Sequence, residues 1–143
     1  MTMWNGARPC AIIFVLAATT LLGSPTWADT PDCMNGQWKD NGGGTLQLNW
    51  TGTELAGNGT GGAGHEALRS QYALKQVNGN TFTGTWTVQE GVVKGSGTAT
   101  IVMNGGDGNG LQLTYEDDWT GGGTGGHASG QSEMTRVTGR ACR

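Results

Sequence analysis

The chain has 143 residues, with 8 Lys and Arg against 11 Asp and Glu and a formal net charge of −3. A weakly acidic chain with no Lys/Arg cluster carries no electrostatic footprint for nucleic acid and does not suit an anionic membrane surface.

At the N-terminus Arg8 precedes the apolar run CAIIFVLAATTLL (residues 10–22) and the small-residue segment GSPTWA (residues 23–28). This is the pattern of a secretory signal peptide. The run is shorter than the roughly 20 residues of a membrane span, and Thr26 and Ala28 supply the small side chains required at −3 and −1, which predicts cleavage after Ala28. No second apolar run of that length follows, so no membrane span is expected, and residues 29–143 form a single domain of ordinary size in a secreted or periplasmic protein. Loss of Arg8 brings its formal charge to −4.

Cys10 leaves with the signal peptide, which leaves Cys33 and Cys142. In an exported chain an isolated pair is expected to be a disulfide, here tying the two ends of the domain together. Two thiols with no nearby histidine make a poor zinc site.

The interior alternates apolar and polar residues again and again, which is the period of a strand with one wet face. TLQLNWT (residues 45–51) sets Leu46, Leu48 and Trp50 against Thr45, Gln47 and Asn49. TFTGTWTVQ (residues 81–89) sets Phe82, Gly84, Trp86 and Val88 against a row of threonines, and GLQLTY (residues 110–115) repeats the pattern with Leu111, Leu113 and Tyr115. Threonine on the outer face favours strand over helix; residues 65–76 are the only helical candidate. Asn35-Gly36, Asn78-Gly79, Asn104-Gly105, Asp107-Gly108 and Asn109-Gly110 tolerate positive φ, and several should close hairpins. Short strands with short turns and no crossover helix predict an all-β fold, an antiparallel meander closing into a small up-and-down β-barrel of eight strands, or nine if SQYALKQV and the tail both count.

Four segments share one further pattern: LAGNGT (residues 55–60), FTGTWT (82–87), VKGSGT (93–98) and WTGGGT (119–124). In strand register each puts an apolar residue, then glycine, then glycine or tryptophan on the inner face, which places Gly57, Gly59, Gly84, Gly95, Gly97, Gly121 and Gly123 inward. An inward glycine costs roughly 0.5 to 1 kcal/mol relative to alanine. It can be there to let the sheet bend or to seat a neighbouring tryptophan, or to leave room for a ligand. LQLNW…LAGNGTGG and LQLTY…WTGGGTGG also read as two versions of one hairpin, about 65 residues apart.

The opening GQW (residues 36–38) followed by Asp40, the repeated TGT strands and the closing SEMTRV (residues 132–137) together resemble the lipocalin and avidin-like group of up-and-down barrels, and the avidin-like members most. The resemblance implies an eight-stranded barrel with a ligand at its open end. It does not imply biotin. Where the family's first biotin-contacting side chain would be asparagine stands Asp40, and where its last strand would carry an aspartate shortly before an aromatic, Ser132 precedes Met134.

Other constellations point elsewhere more weakly. GGDGNGLQL (residues 105–113) is a single, imperfect copy of a calcium-binding repeat, with Gly110 at the ligand position. EDDW (residues 116–119) reads as a solvated turn at a hairpin end, and His65, His127 and Glu66 as surface residues rather than a zinc site. No cofactor or metal is expected. No nucleophile with a base and no carboxylate pair on rigid elements can be picked out, so the chain reads as non-catalytic. Asn49 and Asn58 begin glycosylation sequons. Three classes of function remain: a barrel binding a small molecule at its mouth through Trp38, Asp40, Trp86, Tyr115 and Trp119; a protein-binding barrel such as a secreted protease inhibitor; and a carbohydrate-binding surface of stacked tryptophans.

Overall fold

The alternating segments fold as strands, and every strand pairs antiparallel with the next. The computed structural model describes residues 31–104 and 107–143. The signal peptide expected over residues 1–28, and Gly105, lie outside the described residues. After a short 3₁₀ helix (Asp32–Met34) come β1 (Gly36–Asp40), β2 (Thr45–Trp50), β3 (Leu55–Thr60), β4 (Arg69–Asn78), β5 (Thr81–Glu90), β6 (Val93–Met103), β7 (Gly110–Gly121) and β8 (Thr124–Arg136). β8 returns to β1, and the meander closes as a barrel of eight strands.

The closure is staggered. Cross-strand partners followed round the barrel from Trp38 run through Leu46, Gly59, Ser70, Val88, Gly95 and Trp119 to Gly126, ten residues along β8 from Arg136, the partner of Trp38. Such a stagger tilts strands against the barrel axis and fixes which side chains share a level. The seam is also short. β8 meets β1 only over Met134–Arg136, whereas it follows β7 from Thr135 to Thr124. The β7–β8 hairpin therefore rises well past the end of β1 and forms one high wall of the open end.

The other end is plugged. Met34, Trp38, Leu48, Leu55, Leu74, Phe82, Ile101, Met103 and Leu111 are fully enclosed there. Cys33 and Cys142 form the expected disulfide across this end, with Cα atoms 5.0 Å apart. The Arg136 guanidinium lies 4.2 Å from the centroid of the Trp38 ring and donates to the carbonyls of Cys33 and Gly108. The cation thus closes the base of the barrel over its largest side chain, with its charge solvated by carbonyls.

Several local expectations are corrected. The helical candidate over residues 65–76 divides into loop and β4, whose burial alternates through Ser70, Tyr72 and Leu74. Asn35-Gly36 closes no hairpin. It leads from the 3₁₀ helix into β1, and a Cβ on Gly36 would run into the Thr138 carbonyl oxygen. The strand begun at residue 110 does not end at Tyr115 but continues to Gly121, so EDDW lies inside β7 rather than at a hairpin end. For the same reason the two similar halves are not equivalent: LQLNW and LAGNGT are separate strands, while LQLTY and WTG are one. Gly123 is not an inward strand residue either. With Gly122 it makes the two-residue loop between Gly121 and Thr124, at φ of +60° and +84°. Two successive positive φ values match the twist of the flanking strands, and glycine adopts them without strain.

The outer face is polar. Thr85, Thr87 and Thr98 are exposed, and Thr83 and Thr100 link their hydroxyls across β5 and β6 at 2.9 Å. Among the described residues no helix is long and apolar enough to cross a membrane.

Candidate ligand-binding site

Above the plugged base the barrel widens into a cavity of about 610 Å³, open at the end formed by the β1–β2, β3–β4, β5–β6 and β7–β8 connections. That volume lies within the range of small-molecule sites.

Its aromatic wall follows from the strand register. Tyr72 on β4 and Trp86 on β5 are cross-strand partners, and their rings stack at 5.7 Å with planes 18° apart. Trp86 then meets Tyr115 of β7 at 4.8 Å, although β6 runs between them. The reach is possible because the β6 residue opposite Trp86 is Gly97, which leaves the indole room to donate from Nε1 to the Glu116 carbonyl at 3.0 Å. A Cβ on Gly97 would collide with that same carbonyl, and one on Gly95 with the Asp117 carboxylate. Gly126 lies beneath the Trp119 ring and Gly130 beneath the Tyr115 hydroxyl. The inward glycines thus serve close backbone approach and the seating of large side chains, and the aromatics they seat line the cavity.

Four of the residues singled out from the sequence come together here: Asp40, Trp86, Tyr115 and Trp119 all line the cavity. Trp38 does not. It is fully enclosed in the base, where its Nε1 donates to the Met34 carbonyl at 3.2 Å. The stagger of the barrel puts Trp38 a level below the cavity floor, although it lies only two residues from Asp40. Asp40 itself is engaged, with Oδ1 accepting the Gly44 N–H at 2.8 Å and Oδ2 accepting the Ser132 hydroxyl at 3.3 Å. The two positions at which the sequence departs from the avidin-like pattern are therefore bonded to each other.

The residue that sequence reasoning missed is Asp117. It was expected in a solvated turn, yet it is 5% exposed and faces the cavity. The signal for it was present: β7 carries Leu111, Leu113, Tyr115, Asp117 and Trp119 at period two, all on one face. Among the described residues no donor hydrogen-bonds to either Asp117 oxygen. Burial pushes its carboxyl above the usual aspartate range, against the pull of His127. Burial likewise raises the Tyr72 hydroxyl. Besides Asp40, the other charged groups on the wall are Glu90 and His65, which meet each other at 3.0 Å, while among the described residues no Lys or Arg lines it.

Outside the cavity, His127 and Asp118 face solvent on adjacent strands 3.0 Å apart, and their hydrogen bond raises the His127 pKa. His65 lies on Glu90 and not Glu66, whose carboxylate instead accepts the Gly64 N–H. Among the described residues Trp38, Trp50, Trp86 and Trp119 all point into the barrel, so none offers an outward stacking platform. No protein family's sequence profile matches the chain, and no curated protein is significantly similar to it.

Proposed function

We propose that residues 29–143 form an exported, non-catalytic barrel that holds a small organic ligand in its open end. The observation that carries this reading is Asp117, a carboxylate with no hydrogen-bond partner among the described residues, set among four aromatic side chains in a cavity of about 610 Å³. Leaving a buried acceptor unsatisfied costs a fold about 1 to 3 kcal/mol, so the group calls for an explanation, which a ligand that completes it would supply. Preformed apolar walls with a few convergent polar groups are the usual make-up of a ligand site. The resemblance to lipocalin and avidin-like barrels, whose ligand lies at the open end, supports the same end here. The Asp40–Ser132 hydrogen bond supports a ligand other than biotin. Export is supported by the disulfide, and the polar outer face argues for a barrel that works in water.

The test is a fragment screen read by NMR on the indole N–H signals of the mature protein. Ligands of the cavity are expected to move the Trp86 and Trp119 signals and leave Trp38, in the base, unmoved. A screen of aromatic fragments in which none shifts Trp86 or Trp119 overturns the proposal.

A further inference from the structure

The geometry points to an organic cation, a primary or quaternary ammonium carried on an apolar body, as the ligand class of this cavity. The inference rests on the small-ligand reading above and adds the charge and chemistry of the ligand. Among the described residues the wall carries three carboxylates, Asp40, Glu90 and Asp117, with His65 as its one basic side chain and no Lys or Arg, so acidic groups outnumber basic ones inside it. Asp40 and Glu90 are already engaged, by Gly44 and Ser132 and by His65. Asp117 accepts no hydrogen bond among the described residues, and it is more than nine-tenths buried.

Its neighbours select the kind of cation. Tyr115 and Trp119 stand at the adjacent inward positions of β7, on either side of Asp117. On the same cross-strand row lies Trp86, with only Gly97 between them, and the stacked Tyr72 extends that surface. A positive group next to the carboxylate therefore meets aromatic faces on several sides, which attract a cation through the ring quadrupoles. A bare metal ion is not suited to this place. It would have one free carboxylate and aromatic carbon for its shell, where a hard cation needs six or more oxygens. No group of three metal-binding side chains occurs among the described residues. A primary ammonium donates to few acceptors and a quaternary one needs none, both tolerate ring faces, and either leaves an organic remainder to fill the cavity.

The experiment compares benzyltrimethylammonium with neopentylbenzene, its uncharged isostere, on the mature protein, using the same indole signals and intrinsic fluorescence. The cation is expected to bind at least about tenfold more tightly than the isostere. In Asp117→Asn that ratio should fall by at least about threefold, the remainder being the pull of the ring faces, whereas Asp118→Asn, on the outer face, should keep it. Equal binding of the two probes, or tighter binding of the neutral one, overturns the inference and leaves the small-ligand reading standing. Failure of both probes, and of the wider screen, to move Trp86 or Trp119 overturns both. The ratio in the unmutated protein decides the charge class even if Asp117→Asn folds poorly. Asp117→Ser gives a second route to the same loss, and a ratio unchanged in a folded variant of either kind refutes the role of Asp117.

Discussion

Replacing Asp117 by asparagine should make the ligand-free protein more stable at neutral pH. Asparagine keeps the volume and removes the charge. Burial raises the folded-state pKa of Asp117, so its contribution to stability is full below the ordinary aspartate range and is lost as pH rises through the folded value. Above that value the carboxylate is ionised, buried and, among the described residues, without a hydrogen-bond donor. An unsatisfied buried polar group costs about 1 to 3 kcal/mol. The cavity is open to water at one end, and the amide also lacks partners there, so the difference between the two residues falls near the low end, about 1 kcal/mol. For a domain of this size that is about 4 °C in Tm. Thermal melts of Asp117→Asn and the unmutated protein, without ligand, should therefore differ by about 4 °C at pH 7 and converge at pH 3, where the aspartate is protonated. A variant that melts lower at pH 7, or one that gains equally at both pH values, refutes the account of Asp117 as an unpartnered buried carboxylate. The expected gain also fits a general trade, in which a group kept for binding destabilises the empty site.

The disulfide joins residues 109 apart in sequence, and closing so long a loop is worth about 4 to 5 kcal/mol by loop-closure entropy. The Cys33→Ser/Cys142→Ser double variant should melt about 15 to 20 °C lower, and an unchanged melt would show the bridge to be absent or energetically idle. Gly97→Ala presses a Cβ into the backbone of Glu116 and Asp117, which cannot yield, and should cost about 3 kcal/mol in urea denaturation. Gly123→Ala meets open space and only the strain of a positive φ, so its cost should be about 1 kcal/mol; the reverse order would contradict the register of β6 and β7. The His127 ring should titrate by NMR with a midpoint above the ordinary histidine value of 6.5, falling back in Asp118→Asn. While Asp118 is ionised, its pairing with His127 is full below the ordinary histidine value and fades as pH rises through the raised midpoint, and a midpoint unmoved by Asp118→Asn would show that the two do not interact.

Much of the barrel was legible in the chain because strand alternation is local. Leu46 and Leu48, or Phe82 and Trp86, declare their face through their own neighbours, and in a barrel the apolar face has only one place to go. The disulfide was legible from cysteine number and the signs of export. Errors came where a local signal had two meanings. Gly-rich WTGGGT reads as one strand by alternation, but it contains a turn, since Gly122 and Gly123 take positive φ and reverse the chain. Acidic EDDW reads as a turn by composition, but β-pairing with β6 and β8 holds it extended.

What the sequence determined by itself is therefore the inward face of the plainly alternating strands and the order in which the strands meet, both of which follow from residues adjacent in the chain. What only the tertiary structure decided is level. Whether an inward residue sits in the base, on the cavity wall or at the rim depends on the ten-residue stagger of the closed sheet and on how far each strand outruns its neighbours. That geometry places Trp38 in the base and Asp40 on the wall, joins Asp40 to Ser132 from the far end of the chain, and encloses Asp117 beside Trp86 across a missing side chain at Gly97. Level is a property of the whole ring of strands, because each register offset adds to the next, and no stretch of sequence carries the sum.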